Sequence, residues 1–101
     1  MWARVSRYQF PATRVEEVVD HFNQAVDSFS TQPGLRRADV LVNGKSGAGI
    51  TITVWESEDA MRRSEEDADR WRSGIALELA GWIQGIEEYE LVRTELFPSS
   101  G

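Results

Sequence analysis

The chain has 101 residues, enough for one domain, because compact domains usually run to about 100–150 residues. Seventeen Asp and Glu against eleven Lys and Arg give a net charge of −6, which argues against a nucleic-acid binder, since phosphate recognition needs a basic surface. The chain has no cysteine and one histidine, which excludes disulfides, thiolate nucleophiles, iron–sulfur clusters and the usual zinc sites.

The first two predicted elements are a strand and a helix. Residues 2–10 alternate with a two-residue period, which predicts a strand that Pro11 closes. Thr13 and Glu16 form a T-x-x-E capping box, which predicts the start of a helix. Apolar residues then recur at helical spacing and predict one stripe on a helix of about five turns: Val15, Val18, Val19, Phe22, Ala25, Val26 and Phe29.

A hairpin is predicted next. Pro33 and Gly34 end the helix, and the segments LRRADVLVN and AGITITVWE have the composition of two strands joined across residues 43–47. Residues 46–55 carry no charge and are rich in β-branched side chains, which is typical of a strand with neighbours on both edges. We therefore expect the second strand of this hairpin inside the sheet.

The second helical region is predicted to be long and interrupted. We expect Ser57 to cap it, Gly74 to bend or restart it, and its apolar face to continue past Trp82 before Gly85 ends it. Its charged residues, Arg72 included, are expected to face solvent, while a narrow inner face carries Met61, Ser64, Ala68, Trp71 and Ile75. The segment IEEYELVRTEL predicts a last strand. Residues 1–96 would then form one domain, with a frayed tail over residues 97–101.

This order predicts an α+β fold, the ferredoxin-like split β-α-β-β-α-β sandwich, in which both helices cover one face of an antiparallel sheet. Alternation assigns an aliphatic set to the helix side: Val5, Val40, Val42, Ile50, Ile52 and Val54. The other face would carry Phe10, Asp39, Thr51 and Thr53 together with the large side chains of Trp2, Tyr8, Leu41 and Trp55. Such a patch exceeds what a soluble monomer normally exposes, so we predict a symmetric homodimer. Its interface would include Trp2, Tyr8, Arg37, Leu41 and Trp55.

Two segments point to a known family. TRVEEVVDHFNQAVDSFSTQPG is a helix closed by a Pro-Gly turn, and TVWESEDAMRRSEE carries W-E-S-E-x-A at a junction from strand to helix. In both segments the chain resembles the antibiotic biosynthesis monooxygenase family of dimeric α/β barrels. The resemblance implies an oxygenase that uses no metal, flavin or haem and takes the electrons for dioxygen from a phenolic substrate. The same architecture also hosts other activities.

The resemblance also implies where the site lies. This chemistry needs a base, a dry apolar cavity and donors for a developing oxyanion. Family pockets lie between helices and sheet, which implies Trp71 and Trp82 as ligand-pocket walls and Tyr8 or Tyr89 as hydroxyl donors, although core packing alone would explain both tryptophans. His21, at the boundary of the first helix's apolar stripe, is either a structural residue or the pocket base.

Haem degradation is disfavoured. The haem-degrading branch of the family uses an Asn in the first strand, then a Trp and a His in the second helical region. This chain has Ser6 and Arg7 in the strand, and Ser64 and Gly74 where the Trp and the His belong. Two further alternatives stay open: a non-catalytic ligand-binding or regulatory dimer of the same fold, and an isomerase or lyase.

The sequence also sets expectations for location and partners. It shows neither a leader pattern nor an apolar run of about 18 residues, so we expect a cytoplasmic protein that does not contact membranes. The expected partners are a second copy of the chain and a small aromatic molecule. No cofactor is expected.

Overall fold

The computed structural model describes residues 1–99 and has the predicted element order. One antiparallel sheet runs in the order β2-β3-β1-β4, so β3 lies inside the sheet as predicted, and the α+β ferredoxin-like fold is confirmed. Positions 100 and 101, the end of the predicted frayed tail, lie outside the described residues. The elements are β1 (Trp2–Gln9), a 3₁₀ turn (Ala12–Arg14), α1 (Val15–Phe29), β2 (Leu35–Val42), β3 (Ala48–Trp55), α2 (Glu58–Arg63), α3 (Glu65–Glu78) and β4 (Trp82–Glu90).

The apolar stripe of α1 is confirmed except at Val19, which is 39% exposed, and the predicted start of the helix is not confirmed. Val18, Phe22 and Ala25 are the buried residues of the helix, as their spacing predicts. Thr13 lies instead in the 3₁₀ turn, where the Arg14 N–H donates to the Pro11 carbonyl at 2.9 Å. Within the described residues α1 therefore begins without a side-chain cap, and the predicted capping box is wrong.

The interruption of the second helical region falls at Ser64 rather than Gly74. The Ser57 hydroxyl accepts the Ala60 N–H at 3.1 Å, which confirms the predicted cap of α2. At the end of α2, the Ser64 hydroxyl donates to the Met61 carbonyl at 2.7 Å, and α3 starts one residue later. Gly74 is exposed inside α3, which runs through it without a break.

The last strand begins earlier than predicted. Ala80 adopts a φ of 55°, a left-handed conformation that reverses the chain after α3. Gly81 then packs against Phe10, and a Cβ there would lie 2.4 Å from Phe10 Cδ1. This close passage places Trp82 at the start of β4 instead of on a helix. The strand ends at Glu90, and residues 91–99 have no regular secondary structure.

The sheet face that packs on the helices is the opposite of the predicted one in β1 and β3. Arg4 donates to the Met61 carbonyl in α2, and Tyr8 packs against Phe22 of α1, so these residues of β1 face the helices. Their cross-strand partners share that face: Gly49, Thr51, Thr53 and Trp55. In β2, Val40 and Val42 do pack against the core as predicted. The open face therefore carries Val5, Ile50, Ile52 and Val54.

Two apolar clusters form the core on the helix side. The larger one contains Tyr8, Phe10, Val18, Phe22, Ile75 and Leu79, and the smaller one contains Trp55, Ala60 and Met61. Tyr8 and Trp55 are each 1% exposed, so they have no surface to give to a second chain, and their assignment to the dimer interface is wrong. Trp2 packs beside the smaller cluster, whereas Arg37 and Leu41 lie on the open face.

Within residues 1–99, no helix combines the length and the hydrophobicity that crossing a bilayer requires.

Candidate functional site

A cavity of about 60 Å³ lies between the sheet and the helices α1 and α3. A cavity of about 150 Å³ is large enough for benzene. This space is smaller, and it therefore fits one edge of an aromatic ligand rather than a whole ring system. β1 contributes Arg4, Ser6 and Tyr8, α3 contributes Ala68, Trp71 and Arg72, and the remaining lining residues are Ala25, Val26, Phe29, Ala38, Asp39, Val40, Thr51, Thr53 and Trp55.

One side of the cavity is aromatic. Trp71 meets Tyr8 nearly edge-on, with ring centroids 6.2 Å apart, and its centroid lies 5.7 Å from that of Phe22. Phe22 in turn lies 5.3 Å from Tyr8. Rings in such arrangements stabilise each other beyond the area that they bury. Trp71 thus packs on the core and lines the cavity at once.

Two of these lining residues also border the surface. A depression outside the cavity is lined by Ser28, Gln32, Asp67 and Arg70 together with Phe29 and Trp71. Phe29 and Trp71 line both spaces, so they lie between the cavity and this depression. We call this pair the mouth. Phe29 is the last residue of α1, and Trp71 lies in the middle of α3.

Arg4 is the first of two buried arginines at the cavity, with an exposed fraction of 3%. Its Nη1 donates to the Ser64 hydroxyl at 3.2 Å, and its Nη2 donates to the Met61 carbonyl at 2.8 Å. A carboxylate oxygen of Glu88 lies 4.0 Å from Nη2. Burial, and then the nearby charge of Arg72, lower the pKa of Arg4.

Arg72 is the second buried arginine, and its exposed fraction is also 3%. Its Nη2 donates to Asp69 one turn earlier on α3. Its Nε has no hydrogen-bond partner in the described part of the chain, although it is fully buried. Leaving a buried donor unpaired costs about 1–3 kcal/mol, so this atom lowers the free energy of unfolding.

The Tyr8 hydroxyl is the third polar group at the cavity. It lies 3.2 Å from the Thr51 hydroxyl across the strand pair, and the two can exchange donor and acceptor roles. Burial raises the pKa of Tyr8 above its ordinary value. The phenol therefore stays neutral near pH 7, where it can donate a hydrogen bond but cannot serve as a base.

Comparison with known proteins fits this arrangement. Residues 1–76 match the profile of the antibiotic biosynthesis monooxygenases. The chain belongs to the antibiotic biosynthesis monooxygenase family. No protein with a curated description matches the sequence.

Solved structures of the same fold include members of the antibiotic biosynthesis monooxygenase family. A Deinococcus radiodurans protein described as a candidate antibiotic biosynthesis monooxygenase has a TM-score of 0.79 and 12% identity, and the match covers 98% of this chain and 100% of that one. SnoaB, a cofactor-independent oxygenase of Streptomyces nogalater, has a TM-score of 0.67 and 22% identity, and the match covers 92% of this chain and 94% of that one. The haem degrader MhuD of Mycobacterium tuberculosis has a TM-score of 0.67 and 19% identity, and the match covers 94% of this chain and 99% of that one. At these identities the likeness shows the fold alone.

Three of the predicted site residues lie away from the cavity. Trp82 starts β4, is 57% exposed and does not line the cavity, so its place in the pocket wall is corrected. His21 joins α1 to α3, with Nδ1 2.8 Å from the Glu17 carbonyl and Nε2 3.2 Å from a carboxylate oxygen of Glu78. Tyr89 is 48% exposed and donates to Glu87 at the sheet edge.

Two residues of the site were missed by sequence reasoning. Arg4 and Arg72 were given no role, and Arg72 was expected to face solvent. A signal for Arg72 does exist, because it falls on the helical stripe that runs through Ser64, Ala68, Ile75 and Leu79. An arginine on that stripe is buried unless the helix turns, so its position predicts a buried charge that needs a partner.

Within residues 1–99, no three histidine or carboxylate side chains converge in a way that could hold a metal ion.

Proposed function

We propose that this member of the family is a cofactor-independent monooxygenase that oxidises an electron-rich aromatic substrate of the quinol or anthrone type. The observation that carries the proposal is the cavity itself. Its aromatic wall at Trp71 stands beside two buried arginines and the neutral hydroxyl of Tyr8. This combination suits a flat ligand that carries an acidic oxygen.

The overall reaction of an anthrone-type substrate balances without an added reductant. A methylene carbon flanked by aromatic rings is oxidised to a carbonyl, R₂CH₂ + O₂ → R₂C=O + H₂O. The substrate supplies all four electrons, one oxygen atom enters the product, and the other leaves as water. The ionised substrate is the electron donor, so the protein's task is to favour that ion and to keep bulk water from the reacting carbon.

The cavity residues suit this task. The positive charges of Arg4 and Arg72 favour an ionised ligand oxygen over a neutral one. Apolar side chains such as Ala25 and Val40 line the rest of the space and exclude water. The neutral Tyr8 hydroxyl can donate a hydrogen bond to a reduced oxygen species.

Size fixes how the substrate enters. A volume of about 60 Å³ takes the ionised edge of the substrate, and its remaining rings extend through the mouth between Phe29 and Trp71. Only Arg72 and Ile75 of α3 are buried, against three apolar residues of α1, so α3 is the less firmly packed wall.

A non-catalytic ligand-binding protein of the same fold is the second candidate. One observation favours it: in the described part of the chain no histidine lines the cavity, and the carboxylate of Asp39 is paired with Arg37 Nε at 2.9 Å on the open face of the sheet. A conventional general base is therefore missing from the lining. In this candidate the cavity would hold an aromatic anion without turning it over.

The experiment is oxygen consumption with an anthrone and a panel of hydroquinones, run beside anaerobic binding measured by tryptophan fluorescence. If the protein is a monooxygenase, we expect the oxygen consumed to equal the carbonyl product formed. Oxygen uptake should be abolished or strongly slowed in Trp71→Ala and unchanged in Trp82→Ala. Binding without oxygen uptake for any substrate would replace the monooxygenase with the ligand-binding protein. Anaerobic turnover would instead indicate an isomerase or lyase.

We also infer that the open face of the sheet packs against a second copy. Leu41 is 47% exposed there, and Val5, Ile50 and Ile52 stay partly exposed beside it in the single chain. The Arg37–Asp39 ion pair lies on the same face. A mixed apolar and charged surface of this kind supports a symmetric, sheet-to-sheet homodimer.

A further inference from the structure

We propose that the cavity between the sheet and the helices α1 and α3 binds dioxygen in the ligand-free protein. This inference rests on the proposed function and deepens it, because a monooxygenase that uses no cofactor needs a place for its second substrate. The binding step forms and breaks no bond.

The size of the cavity is the first argument. Its volume is about 60 Å³. A cavity must offer about 10–15 Å³ to hold one water molecule, and an apolar cavity of about 150 Å³ holds benzene or xenon. The space lies between these limits, so the molecule that fits it whole has only a few atoms, as a diatomic gas does.

The chemistry of the surface is the second argument, because the surface of the cavity is almost wholly apolar. The side chains of Ala25, Val40 and Ala68 contribute methyl groups, and Trp71 contributes an aromatic ring. Transfer of an apolar molecule from water to such surroundings is favourable. Dioxygen is apolar, so it gains by entering this space.

The polar groups of the lining residues bond to one another. The Tyr8 hydroxyl lies 3.2 Å from the Thr51 hydroxyl, and Trp55 Nε1 donates to the Thr53 hydroxyl at 3.0 Å. A buried water typically makes about three hydrogen bonds, and these pairings leave little capacity for them. Burial also raises the pKa of Tyr8, as expected for a phenol in surroundings of low polarity. Water is therefore a weak competitor for the space.

The position of the cavity suits the proposed reaction. Phe29 and Trp71 line both the cavity and the outer depression, so the mouth connects the gas site with the surface. An aromatic substrate that enters past these two residues meets dioxygen away from bulk water. That arrangement favours oxidation of the ionised substrate over its reaction with water.

The experiment uses dioxygen itself, because it is paramagnetic and speeds the magnetic relaxation of nuclei close to it. Methyl relaxation in the ligand-free wild-type protein is measured by NMR under nitrogen and then under pressurised oxygen. Three pairs of residues are compared, each with one member that lines the cavity and a second member of similar exposure that does not. The pairs are Ala25 with Ala60, Val40 with Val42, and Ala68 with Ala76.

In each pair the methyl group at the cavity should respond more strongly to oxygen. We expect the oxygen-induced relaxation of the lining member to exceed that of its partner by roughly threefold or more, because a close-packed core has no space for a gas molecule. Equal relaxation within all three pairs would overturn the gas site. That result would mean that the cavity is filled by water or closed to oxygen.

A variant that fills the cavity supplies the matched test. Ala68→Leu adds three carbon atoms at the lining, whereas Ala76→Leu adds the same atoms two turns later on α3, away from the cavity. Both residues are good helix formers, so helix propensity changes little. Ala68→Leu should remove the excess relaxation at Ala25 and Val40, and Ala76→Leu should keep it. An excess that survives in both variants would contradict the site. If Ala68→Leu does not fold, the wild-type comparison decides alone.

The outcomes for the gas site and for the monooxygenase are distinct. Excess relaxation at the cavity, without oxygen uptake for any anthrone or hydroquinone, keeps the gas site and removes the monooxygenase. Oxygen uptake by a wild-type protein that shows equal relaxation within the pairs does the reverse.

Discussion

Trp71 on α3 meets Tyr8 on β1 nearly edge to face, with ring planes 82° apart and centroids separated by 6.2 Å. The contact joins a side chain at the mouth to the hydroxyl-bearing ring at the floor of the cavity. A change in the position of the Trp71 ring therefore affects ligand entry and the placement of the Tyr8 hydroxyl together.

Trp71→Ala should weaken binding of a flat phenol such as 1-naphthol by roughly 3- to 10-fold, because the ligand loses one aromatic contact face. Trp82→Ala is the matched control, since Trp82 is 57% exposed on β4 and does not line the cavity. Calorimetric titration of both variants checks this. A larger loss of affinity in Trp82→Ala would place the ligand outside the cavity.

Tyr8 should make stability fall at alkaline pH. Burial raises the folded-state pKa of Tyr8, so the neutral phenol is favoured in the folded protein. In the unfolded chain the pKa of tyrosine is about 10, and below that pH Tyr8 is neutral in both states, so it does not change the free energy of unfolding. Above that pH Tyr8 ionises first in the unfolded chain, and the free energy of unfolding falls as pH rises toward the pKa of Tyr8 in the folded protein. Urea titrations from pH 9 upward should show this fall in wild type and a smaller one in Tyr8→Phe. Parallel curves would mean that Tyr8 is not shielded from solvent.

Ser64→Ala should lower the free energy of unfolding by about 1–3 kcal/mol, because the buried Arg4 Nη1 would lose its acceptor at 3.2 Å. Ser73→Ala is the control on the same helical region, since Ser73 is exposed and its replacement by a better helix former should cost nothing. Chemical unfolding of the two variants side by side decides the matter. Equal stabilities would show that the Arg4–Ser64 hydrogen bond contributes nothing net.

Leu41→Lys should shift the protein from dimer toward monomer, because it places a charge in the proposed interface on the open face. Leu77→Lys is the control: Leu77 is 86% exposed on α3, away from that face. Sedimentation velocity over a range of concentrations measures both. A wild-type protein that sediments as a monomer at micromolar concentration would contradict the dimer outright.

The element order could be predicted because each element carries its own signal. The α1 stripe, the charge-free β3 and the Ser57 cap are local patterns, and all three hold in the structure. The end of α3 could not be predicted in the same way. The left-handed turn at Ala80 and the tight passage of Gly81 past Phe10 depend on a contact between distant parts of the chain, and the sequence around Trp82 fits a helix equally well.

The site was harder to predict because both faces of β1 and β3 carry large side chains. Alternation shows which residues share a face, but it does not say which face meets the helices. Composition predicts that the aliphatic set faces the helices, whereas the structure gives the helices the mixed set with Arg4, Tyr8 and Thr51. That mixed set brings Arg4, Tyr8 and Thr51 to the lining of the cavity. A wholly aliphatic interface would have closed into ordinary core.

The cavity lies on the helix side of the sheet, whereas the proposed dimer interface lies on the open face. If two copies pair through their open faces, each copy keeps its own complete cavity on the far side of its sheet. Calorimetry should then return a stoichiometry of one ligand per polypeptide, with a hyperbolic isotherm, and diluting the protein until the pair separates should leave that stoichiometry intact.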